Sequence, residues 1–213
     1  MPHMLMLALR DQGAKRLTII GNTAGIAGPT GFGWPAGEEP IDHAVLINNG
    51  QVAKVIASFP VSGSVSRKNA FELAHMKGEI DLELVPQGTL AERIRAAGAG
   101  IPAFYTPTGF GTDLAKGKES RTINGKECIL EEALQADFAL IRGAVADTLG
   151  NLIYSGTSRT FNPPMAAAAT ITIAEVDSIV QPGGIDPERV DTPAIYVNKI
   201  VARDNGQTGD PAQ

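Results

Sequence analysis

The chain of 213 residues has one cysteine, Cys128, one tryptophan, Trp34, and only 5% aromatic residues. A lone cysteine excludes an internal disulfide framework and offers no thiolate cluster for a metal, so the expected compartment is the reducing cytoplasm. With three histidines and no HExxH pair, the sequence also lacks an evident catalytic metal centre. It has no excess of positive charge: 18 Lys and Arg against 23 Asp and Glu give a net charge of -5. The basic stripe that a phosphate backbone demands is absent, so nucleic acid is not an expected partner. No apolar run is long enough to span a bilayer. The opening MPHMLMLALRDQG meets Arg10 and Asp11 within a few residues and has no basic start of a secretory signal. There is no P-loop lysine, and GFGW and GFGT are isolated glycine patterns that say little alone.

What the chain does have is glycine and proline, 24 and 14 residues, and a length that suits one domain with a sizeable core. Much of it must therefore lie in turns and loops. Met4–Leu9 reads as a short helix closed by Gly13, and Leu17–Ile20 as a β-branched strand that bends away at Gly21-Asn22-Thr23-Ala24-Gly25. Residues 26–40 read as a long loop holding Phe32 and Trp34. His43 has no nearby Cys, His or paired carboxylate and is assigned a structural role, and His75 is given no chemistry. Val52–Ser58 is the next strand and Lys68–Met76 a helix.

The stretch from Asp81 to Thr112 organises the rest. DLELV alternates as a strand and stops at Pro86-Gln87-Gly88. Thr89 with Glu92 three residues on has the form of a capping box, after which Leu90, Ile94 and Ala97 line one face with Arg93 and Arg95 turned outward. Gly98, Gly100 and Pro102 end that helix, and TPTGFGT follows as a glycine-rich loop. A strand, turn, helix and glycine loop is where an α/β protein places ligand chemistry, although periodicity alone fits a plain crossover equally well. Beyond it, Arg121–Ile129 reads as a hairpin around Asn124-Gly125, with Cys128 at its rim. Ala136–Gly143 and Leu152–Tyr154 read as strands. Pro163-Pro164 opens a helix, MAAAA, whose small side chains imply close backbone packing. Ile171–Ala174 and Thr192–Val201 complete the strands, and residues 204–213 form a polar tail.

Several long motifs in register resemble the α subunit of the family I CoA-transferases that act on 3-oxo acids. They are VPQGTLAERIRAAGAGIPAFYTPTGFGT, ADFALIRGAVADTLGNLIYSGTSRTFNPPMAAAA, TITIAEV and DTPAIYVNKIV, with LTIIGNTAG and NNGQVAKVIASF upstream. The likeness covers nearly everything from Pro2 to Val201. It implies one α-subunit domain over residues 1–203, an α/β fold with a central, mostly parallel sheet flanked by helices, of the CoA-transferase and ribose-5-phosphate-isomerase-like type. It also implies a partner, the CoA-transferase β subunit, in an α2β2 hetero-oligomer.

The resemblance further implies a ping-pong reaction in which CoA passes from a donor such as succinyl-CoA, through a glutamyl-CoA thioester, to acetoacetate, 3-oxoadipate or another short acid. CoA is a substrate here, no cofactor is expected, and the nucleophilic glutamate belongs to the β subunit. Glu83, Glu92, Glu131 and Glu175 are therefore not expected to be catalytic, and this chain supplies no catalytic residue. By match with the family's active-site wall, Asn22 and Gln87 are expected to bind substrate through their amides, with a structural turn role as the alternative for each. Gly109, Phe110 and Gly111 are expected to close the pocket beside Gln87. Arg159 and Asn162 are expected to organise the last crossover.

Relative to the usual family pattern, the sequence starts at or just after a GGFG-type loop. The segments 28–39 and 61–69 also depart in loop length or composition, which bears first on substrate preference. A shortened chain that keeps the fold as a noncatalytic binding protein is the rival expectation, with a hydrolase or isomerase on the same fold as another.

Overall fold

The computed structural model describes residues 1–25, 41–63 and 66–203. The aromatic-bearing loop expected over residues 26–40 and the tail 204–213 lie outside the described residues. Residues 1–203, expected as one domain, divide almost entirely between two compact units, His3–Gln87 and Gly88–Arg203.

The first unit runs α1 (His3–Gln12), β1 (Leu17–Thr23), α2 (Ala44–Asn48), β2 (Val52–Phe59), α3 (Ala70–Met76) and β3 (Asp81–Leu84). Its strands form one parallel sheet in the order β1-β2-β3. Ile19 of β1, Val52, Val55 and Ile56 of β2, and Met6, Leu46, Phe71 and Ile80 are all buried and supply the apolar interior of this unit. Polar groups within it are matched. Gln51, fully buried, donates through Nε2 to the carbonyls of Leu9 and Ala14, both at 3.0 Å, and so ties the end of α1 to the segment that follows it. Helix α2, five residues long, was not anticipated, since so short a segment shows no 3.6-residue period.

The second unit contains α4 (Gln87–Gly98) from its second residue on, then β4 (Ala103–Thr106), β5 (Ser120–Ile123), β6 (Lys126–Glu132), β7 (Ala136–Asp147), β8 (Leu152–Ile153), α5 (Asn162–Ala168), β9 (Ala169–Val180) and β10 (Lys199–Ala202). Its strands form an antiparallel sheet, β4-β6-β5, and a mixed sheet, β10-β9-β7-β8, in which only β8 runs antiparallel to its neighbour. The α/β class with largely parallel pairing is thus present, distributed over separate sheets. Asn124 and Gly125, at φ of 51° and 74°, form the two-residue turn between β5 and β6 that their sequence predicts. Ile141, Ala174, Val176, Leu152, Tyr154 and Ala166 make the core beneath the mixed sheet. The small residues of α5 do allow close approach: a β-carbon on Gly98 would stand 2.8 Å from that of Ala167.

Three expectations for α4 and its surroundings are corrected. The helix begins at Gln87, so Thr89 lies inside it and is buried, and Glu92 forms a paired contact with Arg95 at 2.7 and 2.9 Å in place of a capping box. Arg93 does not face outward. It is 9% exposed and its Nε donates to the Glu132 carbonyl at 2.8 Å, a partner 39 positions away that local periodicity cannot reveal. Cys128 is buried rather than at a rim. The final strand is also shorter than expected, because a 3-10 turn over Ala194–Tyr196 precedes it.

At the end of β7, Asp147 is 4% exposed and knots the following turn. Its Oδ1 accepts from the backbone N–H groups of Leu149, Gly150 and Asn151 at 3.0, 2.9 and 2.9 Å, and Oδ2 accepts from the Asn151 side chain at 2.7 Å. Burial alone would push this carboxyl up, but the bonds from the Asn151 side chain and the three N–H groups outweigh it and hold the pKa below the ordinary value. The carboxylate therefore adds stability above its unfolded pKa of about 4, and that contribution fades as pH falls through the lower folded value. Asp147→Ala should cost about 1–3 kcal/mol at pH 7 by stranding these donors, with the gap to wild type narrowing in urea melts run at progressively more acid pH.

Candidate functional site

In a parallel sheet, all strands end along the same edge, and the loops beyond their carboxyl ends are where α/β folds bind ligands. Asn22 sits at that end of β1, where Gly21 is in register with Ala57 of β2, and Ala57 is in register with Leu84, the last residue of β3. Gln87 lies three residues beyond Leu84, at the start of α4. The chain thus leads both amide residues out from the carboxyl edge of one sheet, Asn22 at the end of β1 and Gln87 just past the end of β3, with β2 between those two strands. Asn22 is partly buried, and its Oδ1 is shut off from solvent without a hydrogen-bond partner. A buried polar atom left unmatched calls for an explanation, and a ligand is one. Rotating the amide by half a turn presents Nδ2 instead, so the same side chain accepts or donates as required. Gln87 is exposed.

Behind Asn22 the strand exit is held by residues that sequence reading left without a site role. Asn69 is 1% exposed and starts α3 with a true capping box, its Oδ1 accepting from the Glu72 N–H at 2.8 Å and Glu72 accepting from the Asn69 N–H at 3.0 Å. Its Nδ2 donates to the carbonyls of Pro60 at 2.9 Å and Gly25 at 3.3 Å. One side chain therefore ties together the segments leaving β1 and β2. The Asn-x-x-Glu spacing was the available signal.

Gly109, Phe110 and Gly111 belong to the second unit and follow β4. Both glycines have positive φ, 87° and 75°, which places Phe110 on a tight bend with 42% of its surface exposed. Thr112 closes the bend through Oγ1, which donates to the Gly109 carbonyl at 2.7 Å. Arg159 and Asn162 take organising contacts: Asn162 donates to the carbonyls of Arg142 and Ser158 at 3.1 and 2.9 Å, and Arg159 lies 3.4 Å from Asp191, whose other partner is the Tyr154 N–H. A cleft of about 480 Å³ opens nearby, lined in part by Tyr154, Ser155, Arg159, Ser178 and Arg189. It contains none of the five expected substrate contacts. Burial pushes Tyr154 up to about 12, so its hydroxyl stays protonated beside Thr192 Oγ1, 2.8 Å away.

The sequence profile of the family described as Coenzyme A transferase matches residues 1–203. The chain belongs to the coenzyme A transferase family. Among its relatives, the α-type subunit of a probable succinyl-CoA:3-ketoacid coenzyme A transferase, from Bacillus subtilis (strain 168), is 46% identical over 200 residues, covering 94% of this chain and 77% of that one. The corresponding subunit of the 3-oxoadipate CoA-transferase of Pseudomonas putida is 48% identical over 202 residues, covering 95% and 81%. Glutaconate coenzyme A-transferase from Acidaminococcus fermentans superposes with a TM-score of 0.77 at 21% identity, over 96% of this chain and 67% of that chain, a likeness of fold. This CoA-transferase chain is accordingly an enzyme of that family. Among its described residues no group of three or more His, Cys, Asp or Glu is placed to hold a metal ion, and no helix is long and apolar enough to cross a membrane.

Proposed function

We propose that the chain is the α subunit of a cytoplasmic CoA-transferase that moves CoA from succinyl-CoA to a 3-oxo acid such as acetoacetate or 3-oxoadipate, in an α2β2 hetero-oligomer. The observation that supports this reading most is the placement of Asn22 and Gln87 at the carboxyl edge of one parallel sheet, the first with a buried, unmatched amide oxygen. Substrate acids and the transition states of acyl transfer concentrate negative charge on oxygen, and two amides that can donate hydrogen bonds suit both.

The reaction needs no water. A glutamate carboxylate from the β subunit attacks the thioester carbonyl, the C–S bond breaks, and CoA thiolate leaves behind a mixed anhydride. The thiolate then attacks the glutamyl carbonyl of that anhydride and releases the free acid, giving glutamyl-CoA. A 3-oxo acid carboxylate repeats the sequence in reverse, regenerating the glutamate. Asn22 and Gln87 act at the oxygens, holding a carboxylate or the developing oxyanion.

Initial rates of the assembled α2β2 enzyme, with succinyl-CoA and acetoacetate or 3-oxoadipate varied together, should give parallel double-reciprocal lines. Borohydride added with acyl-CoA should reduce a thioester on the β chain. Intersecting lines, or reduction confined to this chain, would overturn the reading.

A further inference from the structure

Side chains alternate along β1, so Gly21 and Thr23 face one side of the sheet and Asn22 the other. His43, the residue before α2, lies on the Gly21 side. A β-carbon on Gly21 would stand 3.1 Å from His43 Cε1 and 3.6 Å from Nε2, so the imidazole occupies the space a side chain at position 21 would need. The Thr23 carbonyl lies beside the same ring, 3.3 Å from that β-carbon position, and favours its charged form, while Nδ1 is buried and has no partner. Burial drives the imidazole pKa down, against the opposing pull of Asp42 and the Thr23 carbonyl. Burial thus favours the neutral imidazole, and Nδ1 is left without a partner.

The neighbours continue the arrangement along the strand exit. Asp42 is 3% exposed, its Oδ1 accepts from the Ala44 N–H at 2.7 Å, and it stands 3.2 Å from the place of a β-carbon on Gly25, a residue at φ +110°. Asn69 holds the Gly25 carbonyl. One ring therefore fixes the residues on either side of Asn22 from the opposite face of the sheet, and two further side chains fix the bend beyond it.

We propose that His43 is a positioning residue for Asn22: by packing on Gly21 beside the Thr23 carbonyl it sets the strand end that presents the Asn22 amide to substrate. The proposal rests on the reading of Asn22 as a substrate contact. It explains why position 21 is glycine within a strand, where glycine is otherwise unfavourable. It also gives a role to a buried histidine packed on a strand glycine.

The test is a double-mutant cycle in the assembled enzyme, with Asn22→Ala, His43→Phe and the pair together, each followed by kcat, KM for the acid, and a thermal melt. Phe keeps the ring on Gly21 but has no ring nitrogen to face the Thr23 carbonyl. His43→Phe should lower kcat/KM about 5- to 30-fold, in the same parameter that Asn22→Ala lowers, and the pair should fall no further than Asn22→Ala alone within about 3-fold. A merely structural histidine would lower the melting temperature and leave the two effects multiplying. Wild-type kcat/KM for His43→Phe, or multiplying effects, overturns the proposal while leaving Asn22 in its role. Wild-type activity for Asn22→Ala removes the underlying reading, and the positioning role with it. Should His43→Phe fail to assemble, Gly21→Ala pushes the same ring from the strand side and is held to the same coupling.

Discussion

Assayed without its β partner, the chain transfers no CoA at a rate within roughly 10³-fold of the assembled enzyme, a barrier difference of about 4 kcal/mol or more. The nucleophilic glutamate is proposed to belong to the partner, and Glu83, Glu92, Glu131 and Glu175 of this chain are all held in ion pairs. Glu83 is paired with Lys54 at 2.6 Å and Glu92 with Arg95 at 2.7 Å. Glu131 is 3% exposed with Lys118 at 2.5 Å and Arg93 at 3.9 Å, and Glu175 is fully buried with Arg203 at 3.3 Å. A carboxylate that attacks a thioester must reach it; Glu131 and Glu175 are buried, and Glu83 and Glu92 are each held by a cation, which lowers their nucleophilicity. The measurement is single-turnover transfer from succinyl-CoA by the purified chain, then by the same chain titrated with the β partner. Activity should appear in proportion to complex formed. A stable CoA thioester on the lone chain would contradict the assignment of the nucleophile to the partner.

Much of the fold was legible because it is written in short-range chemistry. The β-branched run at Leu17–Ile20, the Asn124-Gly125 turn and the small residues of α5 each dictate local structure, and each is found where expected. What escaped depends on distance in sequence. Arg93 is indistinguishable from Arg95 by periodicity, yet the backbone of Glu132 and the side chain of Glu131 draw it inward. The distribution of strands over separate sheets is likewise a matter of which strands pair, and no single strand's pattern encodes its neighbour. Thr89 carries the spacing of a capping signal without capping, while a real capping box stands at Asn69, with the same three-residue spacing and a buried acceptor network behind it.

The candidate site divides in a similar way. Asn22 and Gln87 were singled out by resemblance in motif, and the parallel register of β1, β2 and β3 then put them on one edge. Of the residues behind Asn22, Asn69 carries a local signal in its Asn-x-x-Glu spacing, whereas His43 carries none. His43 reads as an isolated histidine because it faces a glycine, which has no side chain to mark the contact, and the backbone of Thr23. Supports of this kind become visible only once the chain has folded back on itself.

Replacing Gln87 should have the largest effect of any single substitution in this chain that leaves its fold intact. Gln87 is exposed at the first turn of α4, so Gln87→Ala removes an amide without opening a cavity or stranding a core partner, and the melting temperature should change little. If the amide donates to the oxygen that gains charge during acyl transfer, kcat/KM falls on the order of 10²-fold with most of the loss in kcat, as for other donors to an oxyanion. If it instead holds the substrate carboxylate equally in ground and transition states, KM for the acid rises and kcat is retained. Gln87→Glu separates steric from electrical effects, because the side chain keeps its length but turns from a donor into an anion facing anionic substrates. It should be slower than the alanine variant, and the deficit should shrink at high ionic strength as the repulsion is screened. Equal rates for wild type and Gln87→Ala in fully assembled enzyme would remove Gln87 from the site and leave Asn22 as the amide that meets the substrate from this sheet edge.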